Sequence, residues 1–250
     1  MSIDHFTHDG GFSVSATTSS DRFRLGLVFA TGSAFTFGMS GPLAKSLMVA
    51  GWSPTAAVAA RLAGGAVVLA IVATLVKPDW LRQARAHART VVAYGLIPVA
   101  GAQLCYYNAV AHLSVGVALL LEYTAPILVV GWLWATTRQP PSGLTLAGVA
   151  LAIAGVTLVL DVFSTGTRID PVGVAWALGA AVCAGFYFMM SDRVSADGSG
   201  LHSITLAAGG LVVATIAVTL LGVAGVMPLT FTAHDAAVAG TTVPWLVPVI

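Results

Sequence analysis

The sequence predicts an all-α integral membrane protein, a multi-span helical bundle. Of its 250 residues, 57% are hydrophobic and only 8% charged, and the mean hydropathy is +0.90; in soluble domains about a quarter of residues are charged. The apolar residues fall in runs of about 20, the length that crosses a hydrocarbon core. No segment alternates apolar and polar residues as a barrel strand does, and backbone groups in lipid must pair internally, so helices are the spanning form.

Residues 1–24 open the chain. Through residue 21 they are polar and rich in Ser, Thr, Gly and His, which predicts a disordered tail. The first apolar run starts at Leu25, is span-length, and lacks a small-residue cleavage site ahead of a soluble domain, so it is retained rather than removed as a signal. Spans are expected at 25–45, 54–76, 91–111, 115–135, 144–162, 171–190 and 203–226, with an eighth beginning near 237. Basic residues set the orientation, because Lys and Arg stay on the cytoplasmic side. With the N-terminus cytoplasmic, Arg22, Arg24, Lys77, Arg82, Arg85, Arg89, Arg138 and Arg193 all lie inside and Arg168 outside, with Lys45 and Arg61 in or near spans.

The formal charge of +1 and the lack of a basic stripe interleaved with aromatics exclude a nucleic-acid partner. Cys105 and Cys183 both fall inside apolar spans and suggest neither a disulfide nor a metal pair, and no CxxC, HExxH or GxxxxGK[ST] occurs. No cofactor or metal is expected.

An internal repeat follows from small residues. Gly26, Ala30, Ala34 and Gly38 form a ridge in the first span; Gly173, Ala177, Ala181 and Gly185 form the same ridge in the sixth, offset by 147. Gly32 with Gly179, and Gly51 with Gly198, keep that offset. Five spans separate the copies, and an odd number reverses direction, as in the inverted repeats of secondary transporters. The plainer alternative is coincidence among abundant Gly and Ala, whose ridges let any helices approach closely. The repeat divides the chain into a first five-helix unit, 25–162, and a second, incomplete one, 171–250.

This plan, the basic loop after span two, CYYNAVAHLSVGVALLLEYTAPILVVGWLW (Cys105 to Trp134) and TRQPPSGLTLAGVALAIAGVTLVLD (Thr137 to Asp161) resemble the EamA branch of the drug/metabolite transporter superfamily. LLLEYTAP is similar to a stretch in bacterial threonine and homoserine exporters. The resemblance implies ten spans as two inverted five-helix repeats, of which about eight are present here. It also implies a multi-pass protein of the bacterial inner membrane that exports small metabolites, amino acids first among them. The missing spans imply either a truncated chain or completion by a homodimer or second chain.

Glu122, the only glutamate, sits inside an apolar span. An ionisable group there is costly and by default faces the protein interior or a water-filled cavity. Pro126 has no N–H for the carbonyl four residues earlier, which is that of Glu122 itself. One residue thus offers a carboxylate and a freed backbone oxygen, suited to a proton, a cation or a substrate ammonium group. The competing reading is a structural ion pair beside an ordinary proline kink, with Arg61 the partner: at about 1.5 Å per residue the two lie at similar depth. Alternatively Arg61 snorkels to the outer interface.

Gln103, Tyr106 and Tyr107, with Asn108, cluster on span three, where they either line a polar cavity or belong to an interfacial belt. Pro42 predicts a second helix bend, beside which Lys45 snorkels. His112 reads as solvated or satisfied, Trp132 and Trp134 as belt residues, and Asp79, Asp192 and Asp235 as solvated groups or caps.

The reading is a secondary transporter of small molecules in the lipid bilayer, driven by a proton gradient through alternating access, with Glu122 as coupling or substrate-amine site. The alternatives are an uncoupled facilitator or antiporter, and a truncated, non-transporting membrane module. An enzyme is not expected, since the spans offer no paired acid and base or metal triad at one depth.

Overall fold

The computed structural model describes residues 19–159, 170–196, 201–232, 236–238 and 241–243. Two units separate, Met1–Ser40 and Gly41–Ile250. The first holds the N-terminal part of helix α1 (Ser19–Val49), which begins inside the stretch assigned above to a tail; residues 1–18 lie outside the described residues.

The second unit continues through α2 (Pro54–Val76), α3 (Trp80–Ala86), α4 (Ala88–Tyr94), a π-helical segment (Gly95–Gly101), α5 (Ala102–His112), α6 (Val115–Glu122), α7 (Ala125–Thr137), α8 (Gly143–Val159), α9 (Pro171–Ala196) and α10 (Ser203–Val223). Among the described residues, Pro54–Val76, Ala88–His112, Val115–Thr137, Pro171–Asp192 and Ser203–Val223 are long and apolar enough to cross a membrane, and Gly143–Leu158 is a shorter apolar helix. The protein is an all-helical multi-span bundle. One expectation needs correction: where an eighth span should begin near 237, Ala236–Val238 and Thr241–Val243 pair as two short antiparallel strands. Ala, Val and Thr serve either form, and the β-branched Val238, Thr241, Thr242 and Val243 favour strands. Residues 244–250 of that expected span lie outside the described residues.

Local signals fix the helix starts. Ser53 caps α2 by accepting from Ala56 N at 3.2 Å, with Pro54 at the first helical position. Ser114 caps α6, His202 caps α10, and the Asp170 carboxylate accepts from Val172 N at 2.9 Å at the start of α9.

Two helices organise the unit. α9 packs on α5, α6, α7 and the π-helical segment, while α10 packs on α2, α3, α4 and that same segment. Small residues permit the approach. Ala177 and Ala181 of the α9 ridge are buried, as is Ala180 beside them, and a Cβ on Gly173 would meet Leu113 Cγ at 2.6 Å. The fully buried Val58, Val110 and Val218 mark the core between α2, α5 and α10. At one end of the bundle, the segment after α10 lies against the loop between α1 and α2. Ser53 N donates to Thr230 O at 3.1 Å, Trp52 Nε1 donates to Thr232 O at 2.7 Å, and Trp52 meets Phe231 edge-on at 5.1 Å. At the other end, Gln83 Oε1 accepts from His202 N at 3.2 Å and Thr205 Oγ1 at 2.7 Å, tying α3 to the start of α10.

Candidate functional site

The span Val115–Thr137 is broken. α6 ends at Glu122, Tyr123 and Thr124 turn, and α7 begins at Ala125 with Pro126 in its first turn. Pro126 has no N–H to extend the ladder, and Ile127 N instead donates to Thr124 O at 2.9 Å. The break leaves Glu122 at a helix end, buried, with Oε2 unpartnered among the described residues.

Tyr106 supplies a second orphan. It is buried on α5, and its Oη has no hydrogen-bond partner among the described residues. That hydroxyl lies against α1 at Gly41, where a Cβ would overlap both Tyr106 Oη and Val115 Cγ1. Glycine here is what lets the phenol reach this depth. Tyr106 lies within electrostatic reach of Glu122, Arg61 and Tyr107, and its ring meets that of Tyr107 edge-on at 5.9 Å.

The expected Arg61–Glu122 ion pair is absent among the described residues. Arg61, half-buried on α2, donates from Nη1 to Tyr107 Oη at 3.0 Å. An argument from depth leaves the bearing of each charge around its helix open, and here Tyr107 claims the guanidinium. Gln103 is half-buried one turn earlier on α5. Asn108 is spent on its own helix, donating to Leu104 O at 2.7 Å. Pro42 lies inside α1. Lys45, three residues on, donates to Val110 O at 2.7 Å, so this cation serves a carbonyl in the last turn of α5.

The site therefore combines a buried carboxylate oxygen and a buried phenol, both unsatisfied, with a guanidinium held nearby by a second phenol. Such a set accepts a cationic or proton-donating group at Glu122 and presents donors from Tyr106 and Arg61.

Comparison with known proteins gives a matching result. The model of the EamA-like transporter family matches residues 24–161, more than half of the chain. The chain belongs to the EamA-like transporter family. Among curated relatives, the threonine/homoserine exporter RhtA of Salmonella typhimurium (strain LT2) is 31% identical over 179 residues, covering 71% of this chain and 56% of the relative. RhtA of Escherichia coli (strain K12) is 30% identical over the same shares. This EamA-like chain thus spans about half the length of the curated relatives it matches. No solved structure matches it. The family is one of transporters, not of enzymes, and the chain is a multi-pass membrane protein.

Three features of this family member were missed in the sequence. The π-helical segment Gly95–Gly101 encloses Pro98; a proline flanked by glycines in the middle of a span was the available signal. Cys105 faces Gly179 and Cys183 faces Gly101 where α5 packs on α9, a juxtaposition that no local pattern announces. His112 Nδ1 lies 2.7 Å from Asp170 Oδ2, joining the α5 corner to the α9 cap. The Val172 N–H and the His112 ring hold the Asp170 carboxyl below the usual carboxylate range.

Proposed function

We propose that this protein works as a secondary exporter of small amino-acid-like metabolites in the bacterial inner membrane, its N-terminus cytoplasmic, with Glu122 as the proton-coupling or substrate-amine site. The observation that carries the reading is the buried, unpartnered Glu122 Oε2 at a proline-broken helix. Burying a carboxylate without a partner is costly unless a function retains it, and its natural partners are a proton or an ammonium group. Substrate class follows from the relatives, whose names specify threonine and homoserine.

In the cycle the geometry supports, Tyr106 and the Arg61–Tyr107 pair receive the polar end of the solute while Glu122 receives its amine or exchanges it for a proton. Gln103, one turn before Tyr107 on α5, adds a polar group for the solute, and Pro42 inside α1 and the break at Pro126 serve as bending points. Movement of the second repeat, represented by α9 and α10, against the first exposes the site alternately to each side.

The test is efflux of a preloaded, labelled amino-acid panel from cells holding matched amounts of wild-type protein or Glu122→Gln, with and without an uncoupler. Efflux of at least one amino acid above empty-vector cells, lost both on substitution and on collapse of the gradient, is expected. Equal efflux by wild type and Glu122→Gln would refute the role of Glu122, and efflux indifferent to the uncoupler would refute coupling.

A further inference from the structure

Between residues 77 and 89 the chain carries Lys77, Arg82, Arg85 and Arg89 against a single acid, Asp79. Folding sorts this segment by face. Trp80 of α3 is buried, its Nε1 donating to Thr74 Oγ1 at 3.0 Å, Ala84 packs in the same layer, and Gln83 is engaged with the start of α10. Arg82, Arg85 and Arg89 are left exposed.

Lys77, at the end of α2, and Arg82, on α3, line one cavity of about 260 Å³, whose wall also includes Asp79, Gln83 and Ala86. Asp79 Oδ2 lies 3.5 Å from Arg82 Nη2, a loose pairing between exposed side chains that contributes little in water. The Lys77 ammonium has no hydrogen bond or ion pair among the described residues. The cavity lies at the edge of the apolar surface. Ile71, Leu75 and Val76 on the last turns of α2 are exposed, and on a helix long and apolar enough to cross a membrane such a surface is covered by acyl chains. Lys77 follows Val76 directly, so the cavity sits where hydrocarbon gives way to headgroups. Leu81, exposed beside Arg82, continues that apolar margin along α3.

We propose that Lys77 and Arg82 form a binding site for the phosphodiester headgroup of an anionic phospholipid, within the positive field of Arg85 and Arg89. The ammonium and guanidinium donate charge-assisted hydrogen bonds to phosphate oxygens, and the arginine fork matches two oxygens at once. Four cations against one acid favour a headgroup of net negative charge over a zwitterionic one, whose own cation sits beside the same phosphate. An acidic protein segment meets the charge but leaves Leu75, Val76 and Leu81 uncovered; a lipid satisfies both with one molecule. The headgroup bridges the end of α2 to α3, and α3 is tied to α10 through Gln83, so occupancy steadies this end of the bundle. The inference rests neither on the exporter reading nor on which side of the membrane this loop occupies.

The test uses the full chain purified in detergent, with bound lipid read by native mass spectrometry and thermal melting measured alongside. Phosphatidylglycerol is titrated against phosphatidylcholine of the same acyl chains, and inorganic phosphate is the soluble comparison. Phosphatidylglycerol is expected to bind preferentially and to raise the melting temperature where phosphatidylcholine does not. Each basic group near a membrane surface contributes about fivefold to affinity, so the double variant Lys77→Gln with Arg82→Gln is expected to bind phosphatidylglycerol about 25-fold more weakly. Arg138→Gln removes an exposed cation from another loop and is expected to keep wild-type affinity. Asp79→Asn removes the acid facing the same cavity and is expected to bind more tightly, which tests the site even where the double variant does not fold. Equal binding of the two lipids, wild-type affinity in the double variant, an equal loss in Arg138→Gln, or no gain in Asp79→Asn would overturn the proposal. Equal stabilisation by inorganic phosphate would overturn the lipid assignment in favour of a soluble phosphate.

Discussion

Glu122 and Tyr106 each bury an oxygen with no partner among the described residues, and leaving a buried polar group unsatisfied costs about 1–3 kcal/mol. Tyr107, one residue away, is satisfied by Arg61. The two tyrosines therefore respond oppositely to loss of the hydroxyl. Tyr106→Phe removes an orphan, so the fold is expected to be as stable or more stable while efflux slows. Tyr107→Phe strands a half-buried guanidinium and is expected to cost about 1.5–3 kcal/mol. Thermal denaturation in detergent, paired with efflux, separates the two; destabilisation by Tyr106→Phe would show that its hydroxyl is structural. Glu122 was legible in the sequence as a lone glutamate in an apolar run four residues before a proline. The partner of Arg61 was not, because depth along the membrane normal is set by chain count, whereas the bearing that chooses Tyr107 over Glu122 is set by helix packing.

The π-helical segment and α10 meet through glycine. A Cβ on Gly95 would lie 2.7 Å from the Gly210 carbonyl oxygen and 2.7 Å from Val213 Cβ, and backbone cannot swing aside as a side-chain tip can. Gly95→Ala is thus expected to destabilise the protein by about 1–3 kcal/mol through overpacking. Gly148→Ala on α8, with nothing within 4 Å, is expected to be neutral or to stabilise by about 0.5–1 kcal/mol through helix propensity. Equal melting temperatures for the two variants would contradict this packing. Span limits were legible because length and apolarity fix them: 54–76 and 203–226 were expected, and Pro54–Val76 and Ser203–Val223 are found. The π-helical segment and the strands near 237 were not, because both depend on neighbours rather than on the local run of apolar residues.

Across the second unit, the helices are tied at both ends, by Gln83 to α10 at one and by Trp52 and Ser53 to the 230–232 segment at the other. The His112–Asp170 contact is a further tie, and its carboxylate titrates. Asp170 is held below the ordinary carboxylate range by Val172 N–H and His112, so its contribution is full above the pH where a free carboxylate protonates. That contribution is lost as pH falls through the lowered folded value. Backbone hydrogen exchange at the start of α9 is expected to quicken on acidification in that window, and Asp170→Asn to remove the pH dependence; a pH-independent rate in wild type would contradict the latch. The bundle itself was legible from composition, and the resemblance carried by LLLEYTAP was matched by the family comparison. The order of packing, with α9 and α10 as the organising helices, was not, because it rests on which small-residue faces meet.

The most direct test of the central claim uses dicyclohexylcarbodiimide, which modifies protonated carboxyls in apolar surroundings. Labelling is followed by peptide mass at Glu122 in membranes with and without added amino acids. Modification of Glu122 that a transported amino acid slows several-fold is the result this account predicts. Labelling that no amino acid affects, or a Glu122 that never reacts, would contradict it.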